Sequence, residues 1–243
     1  MTEVSSLPSS SGQPNPGKSL TVTVSNRDYA RIPLKTHVVT QKDDPVTLAK
    51  QFVSPHLQAG DMLAMSEKIV AITQGRSYPV ADIQPSGLAR LLAKFVLKTK
   101  HGIGIGSPVT MELAIREVGI SRILFAALCS VATKPFGKRG VFYKVAGRAV
   151  AAIDGPTPYT LPPYNTYATL APKNPDKVAK QVSEALSLPV AIIDANDLGV
   201  EVLGASPEVD RALIVALFRD NPLGQGSEQT PLCLIRPSES AKA

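Results

Sequence analysis

Two aspartates follow apolar, strand-like runs of the sequence in the same way. Asp154 ends the run 149–153, and Asp194 ends the run 190–193. A carboxylate at a strand end projects from a rigid platform, and hard cations such as Mg²⁺ and Mn²⁺ bind carboxylate oxygens. The alternative is that each aspartate caps a turn, as Asp-Gly and Asp-Ala-Asn sequences commonly do. Because the pattern occurs twice, we predict that both carboxylates belong to a metal-dependent site.

Two loops have compositions that suit phosphate. The segment 101–108 holds three glycines and precedes a helix start, so its backbone amides could approach an anion. Its spacing fits neither the Walker nor the dinucleotide motif, and an ordinary connection is the alternative. The segment 134–140 holds Lys134, Lys138 and Arg139, which suit a polyphosphate or a multi-carboxylate substrate. The alternative for this segment is the exposed tip of a hairpin.

Other kinds of site find no support in the residue pattern. His37, His56 and His101 have no mutual ligand spacing and no cysteine nearby, which argues against zinc. Cys129 and Cys233 lie among apolar residues, where small buried thiols are common, so we expect no disulfide framework. The sequence also lacks the Gly-x-Ser-x-Gly elbow of the hydrolases.

The strands and helices that must position these groups are interspersed without a regular βαβ repeat. This order predicts a mixed α/β fold of the α+β type. Apolar or β-branched runs predict strands or extended segments at 21–24, 31–34, 37–40, 62–65, 68–73, 189–193 and 232–235. Helical spacing and capping residues predict helices at 45–57, 85–100, 108–118 and 121–131, and further helices that begin near Asn174 and Ser206. The segments 140–146 and 148–153 are predicted to pair as strands around Gly147.

The amino-terminal residues differ in composition from the rest of the chain. Residues 1–18 are mostly Ser, Pro, Gly and Asn, with almost nothing apolar to bury. We therefore predict a disordered tail at 1–19 and a folded domain at 20–243, long enough for one large core or two lobes. No apolar run is long enough for a secretory signal or a transmembrane helix, so we expect a cytoplasmic protein without a membrane partner.

The charge balance fits an anionic partner. The formal net charge is +6, which suits either a nucleic acid or a small polyanion such as a nucleotide. The sequence contains no tryptophan, aromatic residues make up only 5%, and no motif alternates basic and aromatic residues as stacking platforms do. These features favour a nucleotide over a nucleic acid.

Several segments, taken in order, resemble the coenzyme F420-0:gamma-glutamyl ligase family, with departures that mark a divergent member. The most specific is the segment 60–76, which reads GDMLAMSEKIVAITQGR and is similar to the family's "GD…SSKIVS..EGR" segment. Shorter similarities lie at 31–34, 43–44, 151–154, 174–176, 190–196 and 221–234. The resemblance extends from about Ile32 to Arg236.

The resemblance implies a nucleotide-dependent ligase. Members of the family use GTP and Mn²⁺ or Mg²⁺ to attach the amine of L-glutamate to a terminal carboxylate, such as that of coenzyme F420-0, through an acyl phosphate. The family's fold implies a two-lobed subunit in an intertwined homodimer, with residues 77–147 forming much of the second lobe. The expected partners are a nucleotide, glutamate, a carboxylate acceptor and a second copy of the chain.

The resemblance also assigns roles to individual residues. Asp154 and Asp194 are the implied catalytic residues and metal ligands, and Asp197 and Glu228 are further candidate metal ligands. The implied nucleotide or phosphate contacts are Ser66, Lys68, Gly155 and Asn196.

The chain departs from the family in two segments. Where the family continues with Ser-Asn after its first aspartate, this chain has Gly155-Pro156, and it lacks the Gly-Arg and the tryptophan that follow the second aspartate. The acceptor therefore stays open between F420-0 and a folate-like pterin. Two other hypotheses remain: a catalytically silent nucleotide- or metal-binding protein on the same fold, and a nucleic-acid accessory protein that uses the basic surface.

Overall fold

A computed structural model describes residues 17–96, 104–138, 140–196, 199–224 and 226–238. The chain divides into two compact units: the residues up to Gln74 together with those from Pro172 onward, and residues 75–171. Both units combine helices with strands, which confirms the predicted mixed α/β class. Most of the predicted amino-terminal tail, residues 1–16, lies outside the described residues.

The described chain contains the following strands and helices. The strands are β1 (Thr21–Val24), β2 (Arg27–Leu34), β3 (Met62–Ser66), β4 (Ser77–Pro79), β5 (Tyr167–Thr169), β6 (Val190–Asn196), β7 (Gly199–Ala205) and β8 (Leu232–Pro237). The helices are α1 (Pro45–Val53), α2 (Glu67–Thr73), α3 (Gly87–Ala93), α4 (Pro108–Val118), α5 (Ile120–Thr133), α6 (Val141–Ala146), α7 (Arg148–Ala151), α8 (Pro175–Leu186) and α9 (Arg211–Phe218).

The first unit is built on a six-stranded sheet in the order β1-β2-β8-β3-β6-β7. β3 and β6 pair in parallel, and their other neighbours in the sheet pair antiparallel. Leu63, Met65, Val190 and Ile192 are fully buried, as expected for central strands that are covered on both faces. These apolar runs, which show no alternation with polar residues, therefore place β3 and β6 in the middle of the sheet.

A buried arginine ties β2 to the end of α9. The Arg31 side chain is completely buried and donates to the Leu217 carbonyl oxygen at 2.6 Å and to Asp220 Oδ1 at 2.5 Å. Burial alone would raise the pKa of the Asp220 carboxyl, but the hydrogen bond and the charge of Arg31 lower it more, so the net pKa lies below its ordinary value. The ion pair therefore holds α9 against the sheet at neutral pH.

The second unit is mainly helical. Its core is formed by apolar residues of α3 to α7, with Met111, Ala114, Ile123 and Val150 among those fully or almost fully buried. A short two-stranded sheet, β4 with β5, completes the unit. The described helices of both units are each too short or too polar to cross a lipid bilayer.

Most of the predicted elements are confirmed to within a few residues. Asp44 accepts from Thr47 N–H at 2.8 Å and begins α1, with Pro45 at the first helical position as predicted. Gly119, with a φ of 84°, separates α4 from α5. The predicted helix at 85–100 forms only over Gly87–Ala93, and residues 97–100 lie outside the described part. Residues 37–40 form a loop.

The segment 68–73 forms α2, so the prediction of a strand there was wrong. β3 ends at Ser66, whose hydroxyl oxygen accepts from Lys68 N–H at 3.3 Å and begins the helix. All of residues 69–72 are buried. A helix that is buried all round shows no helical period, so a short apolar run of this kind cannot be distinguished from a strand by pattern alone.

The predicted strand pair at 140–146 and 148–153 was also wrong, because these segments form α6 and α7. Gly140 and Gly147 adopt positive φ angles of 73° and 96° and flank α6. Ala146, Val150 and Ile153 are buried at a helical spacing. The basic segment before α6 is therefore a helix-to-helix connection in its described part; Arg139 lies outside the described residues.

The last helix begins at Arg211, five residues after the predicted start at Ser206. The Ser206 hydroxyl oxygen accepts from Val190 N–H at 3.0 Å, which commits it to β6. Asp210 caps α9 instead, through the N–H groups of Ala212 and Leu213. Three strands, β7 and the short pair β4 and β5, were not predicted from the sequence.

We expect Gly204→Ala to destabilise the first unit. A Cβ at this position in β7 would lie 2.3 Å from the carbonyl carbon of Pro175, at the start of α8. Relief of that clash requires the backbone to move, so the free energy of unfolding should fall by about 1–3 kcal/mol, as for overpacked cores. Urea titration measures this change in the free energy of unfolding. Gly87→Ala is the control, because nothing lies within 4 Å of its added Cβ; equal unfolding midpoints would contradict the close approach.

Candidate functional site

Four of the predicted site residues lie at one edge of the six-stranded sheet. β3 and β6 run parallel with Leu63 opposite Val190 and Ser66 opposite Ile193, so both strands end at the same edge. We call it the carboxyl edge. Ser66 and Lys68 lie where β3 passes into α2, and the carboxyl-terminal part of β6 carries Asp194 and Asn196. In α/β sheets ligands bind outside the carboxyl ends of parallel strands, so this edge is the candidate site.

Glu228 belongs to a loop that meets the same edge. β8 runs antiparallel to β3 and begins at the carboxyl edge, where Met65 is opposite Leu232. Ser66 N–H donates to the Pro231 carbonyl oxygen at 2.8 Å, which fixes the last residues of the 221–231 loop to β3. Within that loop Glu228 Oε2 accepts from Gly226 N–H at 2.7 Å. The predicted candidate therefore has a turn-forming hydrogen bond as well as a position near the edge.

Asp194 faces a second carboxylate. It lies inside β6, two residues before the end of the strand, so its predicted position at a strand end was approximately right. Its antiparallel partner in β7 is Glu201, and directly opposite residues share one face of a sheet. Asn196 Nδ2 also donates to Asp194 Oδ1 at 3.3 Å. Asp194 and Glu201 thus place two carboxylates on one face of the sheet.

Asp154 belongs to the second unit and does not follow a strand. It comes after α7, and its predicted position at a strand end was wrong for the reason given for 148–153. Its side chain is exposed, while its backbone N–H and carbonyl pair with Thr169 at 2.9 Å each. Gly155 follows directly and begins the irregular segment toward β5. Asp154 and Gly155 thus lie where a helical segment turns into extended chain.

The predicted metal ligands are only partly described. Asp197 lies outside the described residues. In the described part of the chain, no group of three or more His, Cys, Asp or Glu side chains is arranged to hold a metal ion. The donor set at the carboxyl edge consists of carboxylate and amide oxygens, which suits Mg²⁺ and Mn²⁺ in chemistry. The ligand set Asp154, Asp194, Asp197 and Glu228 stays a prediction.

The glycine-rich segment is described only from Gly104. Residues 101–103 lie outside the described part. Gly104 has a φ of 46°, and a Cβ there would lie 3.3 Å from Tyr143 Oη. The Ser107 hydroxyl oxygen accepts from Thr110 N–H at 3.1 Å and caps α4. The described half is therefore a packed connection into a capped helix.

Sequence reasoning missed two acidic residues at the carboxyl edge. Glu67 is the first residue of α2, between the predicted contacts Ser66 and Lys68, and is only 7% exposed. Glu201 lies opposite Asp194, in a strand that was not predicted. The signal for Glu67 was present in the sequence, because a carboxylate between the apolar runs 62–65 and 69–72 is rarely buried without a partner or a function.

A histidine and an aspartate in the loop after β2 were also missed. His37 Nε2 lies 2.9 Å from Asp43 Oδ1, and Asp43 Oδ2 accepts from Thr40 N–H at 2.7 Å. Burial alone would raise the pKa of the Asp43 carboxyl, but the hydrogen bonds from Thr40 and His37 outweigh it and hold the pKa below its ordinary value. Their spacing of six residues matches no motif, so only the folded loop reveals the pair.

Two charged residues of the segment 60–76 stabilise the fold. Asp61, at the start of β3, accepts from Arg236 Nε at 2.9 Å and Nη2 at 2.8 Å, and from Gln58 N–H at 2.9 Å. In the second unit, Arg76 donates to the Ala171 carbonyl oxygen at 2.6 Å and to Glu117 at 2.8 Å. Both side chains are buried within networks of protein partners.

Comparison with known proteins points to one family. The family model described as F420-0:Gamma-glutamyl ligase matches residues 33–196. The match includes β3, α2, the whole second unit and β6 to its last residue, and thus covers Ser66, Lys68, Asp154 and Asp194. Among the curated proteins, none matches the chain.

We expect Asp61→Asn to lower stability because it removes the charge from a buried, bidentate pair with Arg236. Hydrogen bonds to charged groups contribute about 1.5–3 kcal/mol, so the free energy of unfolding should fall by a similar amount in a urea titration. Asp210→Asn is the matched control, since asparagine caps a helix as well as aspartate does. If both variants unfold at the wild-type urea concentration, the structural role of Asp61 is wrong.

Proposed function

Because the chain belongs to the F420-0:gamma-glutamyl ligase family, we propose that it is a nucleotide- and divalent-metal-dependent ligase that joins L-glutamate to a carboxylate acceptor. The family match supports a γ-glutamyl ligase activity in F420 biosynthesis and small-molecule substrates. The finer proposal names GTP as the nucleotide, Mn²⁺ or Mg²⁺ as the cation and coenzyme F420-0 as the acceptor.

The observation that carries this proposal is the carboxyl edge. Residues that are far apart in the chain, Ser66 and Lys68 on one side and Asp194 and Asn196 on the other, come to one edge through the parallel pairing of β3 and β6. Lys68 contributes an ammonium group, and Ser66 and Asn196 contribute neutral hydrogen-bonding groups. Asp194 contributes a carboxylate. A phosphoryl-transfer site requires this combination, since its work is mostly positioning and charge stabilisation.

In the proposed reaction the acceptor carboxylate attacks the γ-phosphorus of GTP, and GDP leaves as the bond to the bridging oxygen breaks. The amine of glutamate then captures the acyl phosphate and releases inorganic phosphate. Lys68 supplies positive charge to the phosphoryl oxygens. The Ser66 hydroxyl, whose oxygen already accepts from Lys68 N–H, still has its own hydrogen to donate. Asp194, with Asp154, Asp197 and Glu228 as the other proposed ligands, would hold the cation, which when bound neutralises charge on the phosphoryl oxygens.

A different acceptor is the first alternative. The segment after Asp154 is Gly155-Pro156, and the chain after Asp194 turns back into β7 within a few residues, where the family carries Gly-Arg and a tryptophan. Groups that follow the two aspartates suit acceptor recognition. A folate-like pterin carboxylate is therefore the second acceptor to test, by the same γ-glutamyl chemistry.

The second candidate is a catalytically silent protein that binds a nucleotide or a metal on the same fold. One observation favours it: the segments that follow Asp154 and Asp194 depart from the family pattern where acceptor recognition is expected. Such a protein would keep the carboxyl edge and bind a nucleotide without turnover. Fold membership alone does not decide between the two, because function depends on the site.

We expect Asp154→Asn and Asp194→Asn each to abolish metal-dependent ligation. Loss of a charge that holds a catalytic cation should lower the rate by at least 100-fold, similar to the loss of one transition-state contact. The measurement is GTP cleavage and γ-glutamyl product formation with Mn²⁺ or Mg²⁺, glutamate and F420-0 or a pterin acceptor. Asp210→Asn, at a helix cap, is the control. Nucleotide binding without product in any mixture would favour the silent protein.

An exposed apolar face on α5 supports the proposed homodimer. Ile120, Leu124, Phe125, Leu128 and Val131 lie along this helix and are 44–68% exposed, while Ile123 and Ala126 face the core. Their spacing places them on one face. Monomeric proteins rarely expose apolar patches of more than a few hundred Å². We call this surface the α5 face.

A second copy of the chain suits the α5 face because the helix carries no charge there. The helix is about 21 Å long at a rise of 1.5 Å per residue. If two α5 helices pack antiparallel about a two-fold axis, Leu124 of each can meet Leu128 of the other. Lys134 and Lys138, which follow the end of α5, would then lie at opposite ends of the contact. The lysine charges of the two copies would therefore not face each other.

We expect Leu128→Glu to convert the dimer into a monomer, because it would bury a charge at the centre of the contact. Sedimentation equilibrium at micromolar concentration measures the change, and circular dichroism checks that the chain is folded. Val215→Glu is the matched control: Val215 is an exposed apolar residue of α9, and this variant should stay dimeric. A wild-type chain that sediments as a monomer would contradict the proposal.

A further inference from the structure

The His37–Asp43 pair, in the loop between β2 and α1, is positioned to act at the carboxyl edge. β2 runs antiparallel to β8, with Leu34 opposite Leu232, so the loop after β2 begins at this edge. Thr36 N–H donates to the Gln229 carbonyl oxygen at 3.1 Å, and Gln229 Nε2 donates to the Thr36 carbonyl oxygen at 2.6 Å. These hydrogen bonds join the loop after β2 to the 221–231 loop, in which the Pro231 carbonyl oxygen accepts from Ser66 N–H.

The distance across the sheet is suitable for a small substrate. β2 and β3 are separated by one strand, β8, so the loop begins about 10 Å from Ser66 at the usual spacing of neighbouring strands. The side chain of His37 is 44% exposed. A separation of this size is within the length of an amino acid bound between the exposed His37 and an acceptor at Ser66.

Asp43 holds the imidazole in one orientation. Asp43 Oδ1 lies 2.9 Å from His37 Nε2, and its Oδ2 accepts from Thr40 N–H at 2.7 Å and from Thr40 Oγ1 at 3.0 Å. The Phe52 ring of α1 packs against the imidazole at a centroid distance of 5.5 Å. Since an ionised carboxylate only accepts, Nε2 carries the hydrogen, and the neutral form of this imidazole has its lone pair on Nδ1.

The two adjacent aspartates of this loop have separate tasks. Asp44 accepts from Thr47 N–H and caps α1, which is a purely structural role. Asp43 instead contacts the histidine. A carboxylate that fixes the tautomer and orientation of an imidazole is the arrangement by which enzymes prepare a histidine as a base.

We infer that His37, oriented by Asp43, is the general base that deprotonates the amine of the incoming amino acid. This inference rests on the proposed ligase function. The ammonium group gives one proton to His37 Nδ1, and the nitrogen lone pair then forms the C–N bond at the acyl carbon. The C–O bond to phosphate breaks, with its electron pair leaving on the phosphate, and the second proton that the new amide loses goes to that phosphate.

His37→Gln tests the base, because the glutamine amide can still donate to Asp43 while it cannot accept a proton. Two products are measured with F420-0, GTP and Mn²⁺: the γ-glutamyl amide formed with glutamate, and the hydroxamate formed with hydroxylamine. Hydroxylamine is uncharged at neutral pH and needs no base. We expect the variant to lose amide formation by about 100-fold or more, as for other general bases, and to keep forming hydroxamate.

Three further variants separate positioning from folding. Asp43→Asn should also lose γ-glutamyl amide formation and keep hydroxamate formation. The loss of amide should be smaller than in His37→Gln, because the substitution disturbs only the orientation of His37. Asp44→Asn retains the helix cap and should match the wild type, as should His56→Gln, since His56 lies beside Arg236 at the opposite edge of the sheet. Unfolding midpoints verify that each variant folds.

The possible outcomes separate failure of the proposed role of His37 from failure of the proposed ligase function. Equal losses of amide and hydroxamate in His37→Gln, or no loss of either, would overturn the role of His37 and leave the ligase function standing. A wild-type protein that forms neither product with any acceptor would overturn the ligase function and the base with it.

Discussion

The parallel pairing of β3 with β6 is the constraint on which the rest of the first unit depends. Parallel strands require a crossover, and here the crossover contains α2, the whole second unit and α8. The pairing brings the two strand ends to one edge, and β8, inserted antiparallel between β2 and β3, brings the 35–44 and 221–231 loops to the same edge. A slip of one residue in the β3–β6 register would turn Asp194 to the other face of the sheet.

Several acidic residues of the first unit have partners that stabilise the fold. Asp61 and Asp220 pair with arginines, and Asp44 caps a helix, so each of them stabilises the fold. Asp194 lies opposite Glu201, which places two carboxylates on one face of the sheet near the carboxyl edge. This second carboxylate supports the proposed cation site at Asp194, in addition to the position of Asp194 near a strand end.

Local signals in the sequence predicted the fold where the chemistry is local. Asp44 with Pro45 marked a helix start correctly, because a cap and a proline act within one turn. Strands predicted from short apolar runs were wrong in two places. Residues 68–73 form a helix that is buried all round, and residues 140–153 contain two helices flanked by glycines. Ser66, Lys68 and Asn196 were predicted from family resemblance, and Asp194 also from the apolar run before it. Their meeting at one edge depends on strand pairing between distant segments, which no local pattern encodes.

The segments in which this chain departs from its family are loops and turns. Gly155-Pro156 begins an irregular stretch, and the segment after Asp194 connects the antiparallel strands β6 and β7. Ser66 and Lys68, by contrast, sit at a capped strand-to-helix junction that is bonded to Pro231. Loops tolerate change that such a junction does not, because few packed contacts depend on them. Selection can therefore alter the acceptor through the loops, while the proposed phosphate-binding junction and the proposed base pair His37–Asp43 stay unchanged.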